Sequence, residues 1–318
     1  MRLDSSTIII KRLIYNIENL LAFFILLLLA LLPTLEIILR TFFKTGFHSA
    51  SEYIQHLVLW LTFIGSMITS REKKHLRLTV GVDFLNKNTK EWVRTITALI
   101  AVVINSILAW YAWLFVKEGF DPHTKIGIFP IKLIISIMPI GFIFLAYRSI
   151  FHAGGKRIQK IIASSGIIIA LLVGFSLNTS YLHFLIWPFT LLLLISGLFG
   201  TPIFIVLGGL SIILFFHSGG SLAIIHNEAY TMLTSPIIPT IPLFTLAGFI
   251  LSESRAGERL IHLFQACFGW LPGGLAIMAI LISAFFTTFT GASGVTILAL
   301  GGLLSFVLIK SNYYKNFS

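Results

Sequence analysis

Residues that could bind a small solute or an ion are concentrated in three clusters of glycine, proline and hydroxyl side chains in the second half of the chain. The clusters lie at 197–202, 235–242 and 290–296, and each interrupts a long apolar stretch. A break in a helix at membrane depth frees backbone carbonyl and N–H groups, which can coordinate a cation or an anionic substrate where they line a cavity. Gly and Pro are also common in ordinary membrane helices and in surface turns. For the first cluster both interpretations stay open.

The third cluster favours a binding function. Its hydroxyl groups on Thr290, Ser293 and Thr296 lie beside Gly291 and Gly294, which allow close approach of the backbone. Strongly apolar segments flank the cluster on both sides, as a re-entrant hairpin requires. The pattern therefore predicts a hairpin whose backbone and hydroxyl oxygens can bind an ion or a solute.

Glu36 is the ionisable residue most clearly inside a predicted membrane span. An intramembrane carboxylate is a candidate for a proton or ion relay. Arg40 follows four residues later on the same helical face, so a local ion pair near the membrane surface is the favoured interpretation.

The residues do not form a convincing catalytic or metal-binding pattern. Segment 291–294 lacks the full G-x-S-x-G spacing of a nucleophile elbow, and His226 and Glu228 lie two residues apart and diverge on a helix. A single cysteine, Cys267, cannot form an intramolecular disulfide or a thiol cluster. We therefore expect neither an enzyme nor a resident metal cofactor.

The composition indicates a helical membrane protein. Hydrophobic residues make up 57% of the 318 residues and charged residues only 11%, with a mean hydropathy of +0.95. A soluble domain carries about 25% charged residues and could not bury this much apolar surface. The apolar runs extend over about 15 to 20 residues without strand-like alternation, which favours an all-α polytopic membrane protein over a β-barrel.

The apolar runs predict six spans followed by three shorter pieces. The spans are 20–39, 53–69, 92–116, 131–151, 161–177 and 182–199, and the shorter pieces are 203–216, 237–251 and 275–289. Across the first four spans, the N-terminal tail and the loops on its side hold 14 Lys and Arg residues, against 5 on the other side. Because basic residues accumulate on the cytoplasmic side, we expect a cytoplasmic N-terminus. The net charge of +11 then reflects topology, and no nucleic-acid partner is expected.

The distribution of charge and of Gly and Pro predicts two modules with a connection between them. Residues 1–155 form a four-span bundle with charged loops, and 156–180 form a connecting transmembrane helix. Beyond residue 180, Lys and Arg become rare while Gly and Pro become frequent. Residues 181–318 are therefore predicted to form a hydrophobic module with broken helices.

Short motifs in both modules resemble a known transporter family. In the first module they are Glu52, Trp60 and Gly65 in the second span and the loop REKKHLRL at 71–78. In the second module they are GTPI at 200–203, IPLFTLAG at 241–248, LPGGLA at 271–276 and FTGASG at 289–294. Together they are similar to the tripartite ATP-independent periplasmic (TRAP) transporters, in the form that fuses the small and large membrane subunits.

The resemblance implies a fold and a function. The large subunit of this family is an elevator-type carrier with a re-entrant hairpin, braced by the four-helix small subunit in the bacterial inner membrane. Sodium ions drive uptake of an organic acid such as a C4-dicarboxylate, which a periplasmic substrate-binding protein delivers, and no other cofactor is implied. By motif position, the expected sodium and substrate ligands are Ser235, Thr240, Gly291, Ser293, Gly294 and Thr296.

The resemblance also implies that the large-subunit module is incomplete. The large subunit should continue well beyond residue 318, through a second hairpin and an inverted repeat. We therefore expect that transport requires a second polypeptide carrying the rest of that subunit. The alternative is a truncated, non-transporting scaffold or remnant of such a permease.

Overall fold

A computed structural model describes most of the chain, which divides into two compact units, Met1–Thr234 and Ser235–Ser318. The described residues are 5–47, 49–78, 81–82, 85–176, 186–254, 259, 263, 266–267, 270 and 274–290. The expected all-α class is confirmed, because the described residues are mostly helical and the paired strands are two residues long.

The first unit consists of helices joined by short loops and one small hairpin. In chain order its elements are α1 (Ser5–Phe43), α2 (Ala50–Arg71), α3 (Lys87–Glu118), β1 (Lys125–Ile126), β2 (Phe129–Pro130), α4 (Ile131–Ile135), α5 (Ile137–His152), α6 (Arg157–Ser176), α7 (Ile186–Leu198), α8 (Ile203–His217) and α9 (Ala223–Leu233). In the second unit, α10 (Thr240–Glu253) packs against α11 (Gly274–Thr290).

Within the described residues, three helical segments are long and apolar enough to cross a membrane. They are Leu13–Phe43, Lys87–Glu118 and Ile131–His152. Each is longer than the ~20 residues that a helix needs to cross the hydrocarbon layer. They coincide with three of the predicted spans, which supports the assignment as a membrane protein.

Two of these segments differ in detail from the sequence-based prediction. Helix α1 begins at Ser5 rather than near residue 20, so its first turns extend beyond the predicted span. The fourth predicted span, 131–151, is divided into α4 and α5 at Ser136. Pro139 causes the break, because its ring clashes with the carbonyl four residues earlier and it has no N–H to donate.

Helix α3 is the centre of the first unit and packs against α5, α6, α8 and α9. Its Ala101, Ile104 and Leu108 form a buried cluster with Ile205 and Ile212 of α8. In lipid, helices associate mainly through close van der Waals packing, because the surrounding acyl chains are as apolar as the helix surfaces. The cluster therefore holds α8 against the centre of the four-span bundle.

A glycine makes this close packing possible. A Cβ on Gly209 of α8 would lie 2.7 Å from Cδ1 of Ile104 and 2.8 Å from Cδ1 of Leu193. Carbon atoms in contact are normally about 3.5–4.0 Å apart. A side chain at position 209 would thus force the ends of the Ile104 and Leu193 side chains to shift.

Candidate functional site

Four of the six predicted sodium and substrate ligands lie outside the described residues. They are Gly291, Ser293, Gly294 and Thr296. Their role in the third cluster stays a prediction. The other two, Ser235 and Thr240, flank a turn at the start of the second unit.

The turn between Ser235 and Thr240 interrupts the helical pattern where the second Gly/Pro cluster was predicted to do so. The Ser235 carbonyl accepts a hydrogen bond from the Ile238 N–H (3.2 Å), and the Thr240 hydroxyl donates to the Ile237 carbonyl (2.6 Å). Pro239 immediately precedes α10, a place where its missing N–H costs no helical hydrogen bond. The turn thus brings hydroxyl and carbonyl oxygens together over a few residues.

Glu36 and Arg40 form an ion pair within α1. Oε1 of Glu36 accepts a hydrogen bond from Nε of Arg40 (2.6 Å), and Oε2 accepts one from the backbone N–H of Phe47 (2.7 Å). The Glu36 side chain is 13% exposed and the Arg40 side chain 73% exposed. Both carboxylate oxygens are therefore engaged in fixing the connection between α1 and α2.

A second ionic network, which the sequence analysis missed, joins α1, α2 and α5. Glu18 is buried and accepts hydrogen bonds from Arg71 (2.9 Å) and Arg148. Arg71 also donates to the Asn19 side chain (2.8 Å), and Arg148 to the Met67 carbonyl. One buried carboxylate thus bridges two guanidinium groups, Arg71 at the C-terminal end of α2 and Arg148 one turn before the end of α5.

The three charged residues of this network are too far apart in sequence for a local pattern to reveal. Glu18 is 53 residues from Arg71 and 130 residues from Arg148. The available signal is a carboxylate among apolar residues just before the first predicted span, together with an Arg at the end of two other spans. Buried charges need partners, so such residues predict a network whose members only the fold can identify.

The loop after α2 is joined to the turn between α7 and α8 through the backbone. We call residues 75–78, together with Gly81, the strap. The Leu76 carbonyl accepts a hydrogen bond from the Ile203 N–H (3.1 Å), and the Gly81 N–H donates to the Leu198 carbonyl (3.1 Å). Arg77 forms an isolated antiparallel bridge with Pro202. The strap therefore holds the first Gly/Pro cluster against the bundle.

The first Gly/Pro cluster itself is a turn between helices. Gly200 has φ of +93°, a conformation that residues with a side chain rarely adopt. The Thr201 N–H bonds back to the Ser196 carbonyl (3.1 Å). Of the two interpretations that the sequence left open, the structure favours a turn, whose backbone groups pair with the strap.

The other end of α2 contacts α9 through side chains. Nδ1 of His56 lies 2.7 Å from the Glu52 carbonyl, so it carries the proton, and Nε2 accepts a hydrogen bond from the Tyr230 hydroxyl (2.8 Å). The Tyr230 ring also packs edge-on against Phe120, with ring centroids 5.3 Å apart, and lies 5.9 Å from the ring of Phe115. Helix α9 is thus fixed to both α2 and the end of α3.

The fold and these contacts define a class. Apolar helices of spanning length, a bundle with a buried ionic network, and a following set of shorter apolar helices packed on that bundle describe an integral membrane protein of two joined parts. Within the described residues, no group of three His, Cys, Asp or Glu side chains could hold a metal ion.

Comparison with known families is consistent with this division. The DctQ component of the tripartite ATP-independent periplasmic transporters matches residues 29–158. The DctM component of the same transporters matches residues 189–318. The chain belongs to this transporter family and joins its two membrane components in one polypeptide.

Several relatives are named as permeases of this family. The isethionate TRAP transporter permease DctMQ of Oleidesulfovibrio alaskensis is 24% identical over 84% of this chain and 43% of its own length. The large permease DctM for C4-dicarboxylates of Vibrio cholerae is 33% identical over 40% of this chain and 29% of its own length. The ectoine large permease TeaC of Halomonas elongata is 31% identical over 38% of this chain and 29% of its own length. The chain therefore spans less than half the length of these relatives.

Proposed function

We propose that this chain takes part in sodium-coupled uptake of an organic acid, delivered by a periplasmic substrate-binding protein. The observation that carries the proposal is that matches to both membrane components of a TRAP transporter follow each other in one chain. A C4-dicarboxylate-like acid is the proposed substrate class. The relatives are named for isethionate, C4-dicarboxylates and ectoine. Within that range, we propose a C4-dicarboxylate-like acid for this chain.

The chemistry of the second and third Gly/Pro clusters supports a sodium site. Hard cations bind several oxygen ligands from hydroxyl, carbonyl and carboxylate groups. Ser235 and Thr240 supply such oxygens at a turn in the second unit, and Ser293 and Thr296 supply them in sequence at the proposed hairpin. In this proposal Ser293 and Gly294 lie at the hairpin tip, and Gly291 beside them lets the backbone approach the ion.

The packing of the first unit supports a boundary between the fixed and the moving part that lies after α9. The boundary predicted from sequence was at residue 181. Helices α8 and α9 pack on α3, α7 packs on α8, and the three helices are bonded to the strap and to α2. We therefore propose that they belong to the fixed brace, together with the DctQ-matching bundle. In this mechanism sodium binding closes the hairpin over the substrate, and the part that moves begins after Thr234.

The excess of basic residues supports the orientation of the chain. We propose an inner-membrane location with the N-terminus and the strap on the cytoplasmic side, since their side holds 14 of the 19 Lys and Arg residues counted above. The binding protein would then dock on the opposite, periplasmic side. Membrane lipid surrounds the helices, and a second polypeptide would supply the rest of a DctM component.

Uptake in reconstituted liposomes tests the proposal. The full chain is incorporated with its binding protein and a labelled C4-dicarboxylate, alone and with a polypeptide that completes the DctM component. We expect uptake that requires an inward sodium gradient and the binding protein. An unchanged rate after sodium is replaced by potassium would contradict the coupling.

A single-site variant tests the hairpin. Replacing Gly294 with Leu should abolish sodium-dependent uptake while leaving membrane insertion intact, because a side chain there would block close approach of the backbone. Gly155→Leu is the matched control, since nothing lies within 4 Å of a Cβ at that position. Normal uptake by the Gly294 variant would show that the hairpin assignment is wrong.

The second candidate function is a scaffold without a binding site of its own. The observation that favours it is the extensive packing and ionic bonding of the first unit, which would brace a partner without transport. Thermal unfolding in detergent separates the two functions. Stabilisation by sodium or substrate supports transport, whereas identical unfolding temperatures with and without them support the scaffold.

A further inference from the structure

A group of basic side chains lies at the strap, between the ends of α2 and α5 and the start of α8. Arg77 lies within electrostatic range of Arg94 of α3. His152, the last residue of α5, lies within electrostatic range of Arg77, Lys73 and His75. The described part of the chain places no carboxylate within salt-bridge distance of Arg77, Arg94 or Lys73. The group is therefore a concentration of positive charge that lacks a counter-ion among these residues.

Two nitrogen atoms in this cluster are buried with no hydrogen-bond partner among the described residues. They are Nε of Arg77 and Nε2 of His75. A buried polar group that makes no hydrogen bond costs free energy, so such groups usually have a partner that completes the site. Burial and then the Arg77 charge lower the pKa of His75 to about 4, as expected for an imidazole in a positive environment with no anion beside it.

The strap alternates between two faces. His75 and Arg77 are partly buried, and the His75 ring lies 4.8 Å from the ring of Phe204 of α8. Leu76 and Leu78 point the other way, and are 75% and 47% exposed. Alternation of this kind follows from an extended backbone. A basic face and an exposed apolar face within four residues are suited to the boundary between lipid head groups and acyl chains.

We propose that Lys73, His75, Arg77 and Arg94 form a phosphate-binding site that holds the head group of an anionic phospholipid. A guanidinium group gives phosphate strong, charge-assisted hydrogen bonds. Exposed Leu76 and Leu78 favour a lipid over free phosphate, because they would contact the acyl region while the phosphate contacts the basic face. The head group would fix the strap where the DctQ-matching bundle meets the turn between α7 and α8, and this role does not depend on transport.

Lipid titration of the purified full chain tests the proposal. Delipidated protein in mild detergent is titrated with phosphatidylglycerol, with phosphatidylcholine of the same acyl chains, or with inorganic phosphate at constant ionic strength, and the unfolding temperature is recorded. We expect stabilisation by phosphatidylglycerol only. Equal stabilisation by both lipids would overturn the proposal. Equal stabilisation by inorganic phosphate would overturn the lipid assignment and indicate a site for a soluble anion.

Charge-neutralising variants locate the site. Arg77→Gln should weaken the apparent affinity for phosphatidylglycerol about tenfold, the loss expected for one charge-assisted hydrogen bond. Arg94→Gln, on the surface of α3, should do the same and serves if the first variant does not fold. Arg157→Gln removes the same charge from an exposed position at the start of α6 and should retain the affinity. An equal loss in the Arg157 variant would show that only the overall charge matters.

Discussion

Helices α7–α9 are attached to the four-span bundle near both ends of α2, and the two attachments use different kinds of hydrogen bond. At the strap end, Leu76 and Gly81 bond to the α7–α8 turn through backbone groups. At the other end, His56 and Tyr230 bond through their side chains. Backbone hydrogen bonds do not depend on which side chains the residues carry, so the strap should tolerate substitution better than the His56–Tyr230 contact. The backbone attachment at the strap thus depends on the path of the chain, whereas the other attachment depends on the side chains of His56 and Tyr230.

The strap follows the end of α2, where Arg71 belongs to the buried ionic network. Substitution in this network should have the largest effect on the free energy of unfolding. Glu18→Gln leaves the buried Arg148 without a counter-ion and Arg71 with only the more exposed Glu72, which should lower the free energy of unfolding by about 3–5 kcal/mol. The control is Glu72→Gln, because Glu72 also contacts Arg71 (3.3 Å) but is 35% exposed, and it should cost at most about 1 kcal/mol. Chemical unfolding in detergent measures both. Equal effects of the two variants would contradict the role of burial.

Between the two ends, the packing of α8 on α3 provides the next largest effect. Gly209→Val places a side chain against Ile104 and Leu193 and should lower the free energy of unfolding by about 1–3 kcal/mol. Gly65→Val is the matched control, since a Cβ there meets nothing within 4 Å. A Gly209 variant as stable as the control would show that α8 does not pack closely on α3.

A double-mutant cycle measures the side-chain contact directly. His56→Ala, Tyr230→Phe and the double variant should give a coupling free energy of about 0.5–1.5 kcal/mol, since both singles remove the same hydrogen bond. Tyr147→Phe is the control, because Tyr147 is 58% exposed. Additive effects of the two substitutions would show that the residues do not interact.

The backbone contact of the strap requires a variant that removes an N–H group. Ile203→Pro removes the donor to the Leu76 carbonyl, at the first position of α8, where proline otherwise fits. Pro202 has φ −54° and ψ 136°, which a following proline accepts. Compared with Ile203→Ala, the proline variant should lose a further ~0.5–1 kcal/mol. Leu76→Ala keeps the carbonyl and should leave the strap intact, so a larger loss in Leu76→Ala than in Ile203→Pro would contradict a backbone attachment.

The membrane class and most helix positions could be predicted from sequence, because they depend on local runs of apolar residues. The break at Ser136 was missed, although Pro139 signals it locally. The partners of Glu18 and the His56–Tyr230 contact could not be predicted. Their members are separated by up to 130 and by 174 residues, and a single sequence does not show which distant residues meet.

The candidate sodium site could be located only in part. The turn at Ser235 follows from three closely spaced prolines in an apolar region, and its break in the helix is present in the structure. The positions of Ser293 and Thr296 stay predictions, since they lie outside the described residues. In the sequence, the basic cluster at the strap was noted as a topological signal and as part of a family motif at 71–78. Its unpartnered nitrogen atoms became evident from the fold.

Helices α7–α9 and the DctQ-matching bundle form one packed body, and cleavage of the chain between them tests this most directly. A protease site is inserted between Ser176 and Ile186, the purified chain is cut in mild detergent, and the N-terminal fragment is captured by an affinity tag. We predict that the C-terminal fragment is retained, and that a variant combining Tyr230→Phe, Ile203→Pro and Gly209→Val releases it. Separation of the unmodified fragments immediately after cleavage would contradict the account.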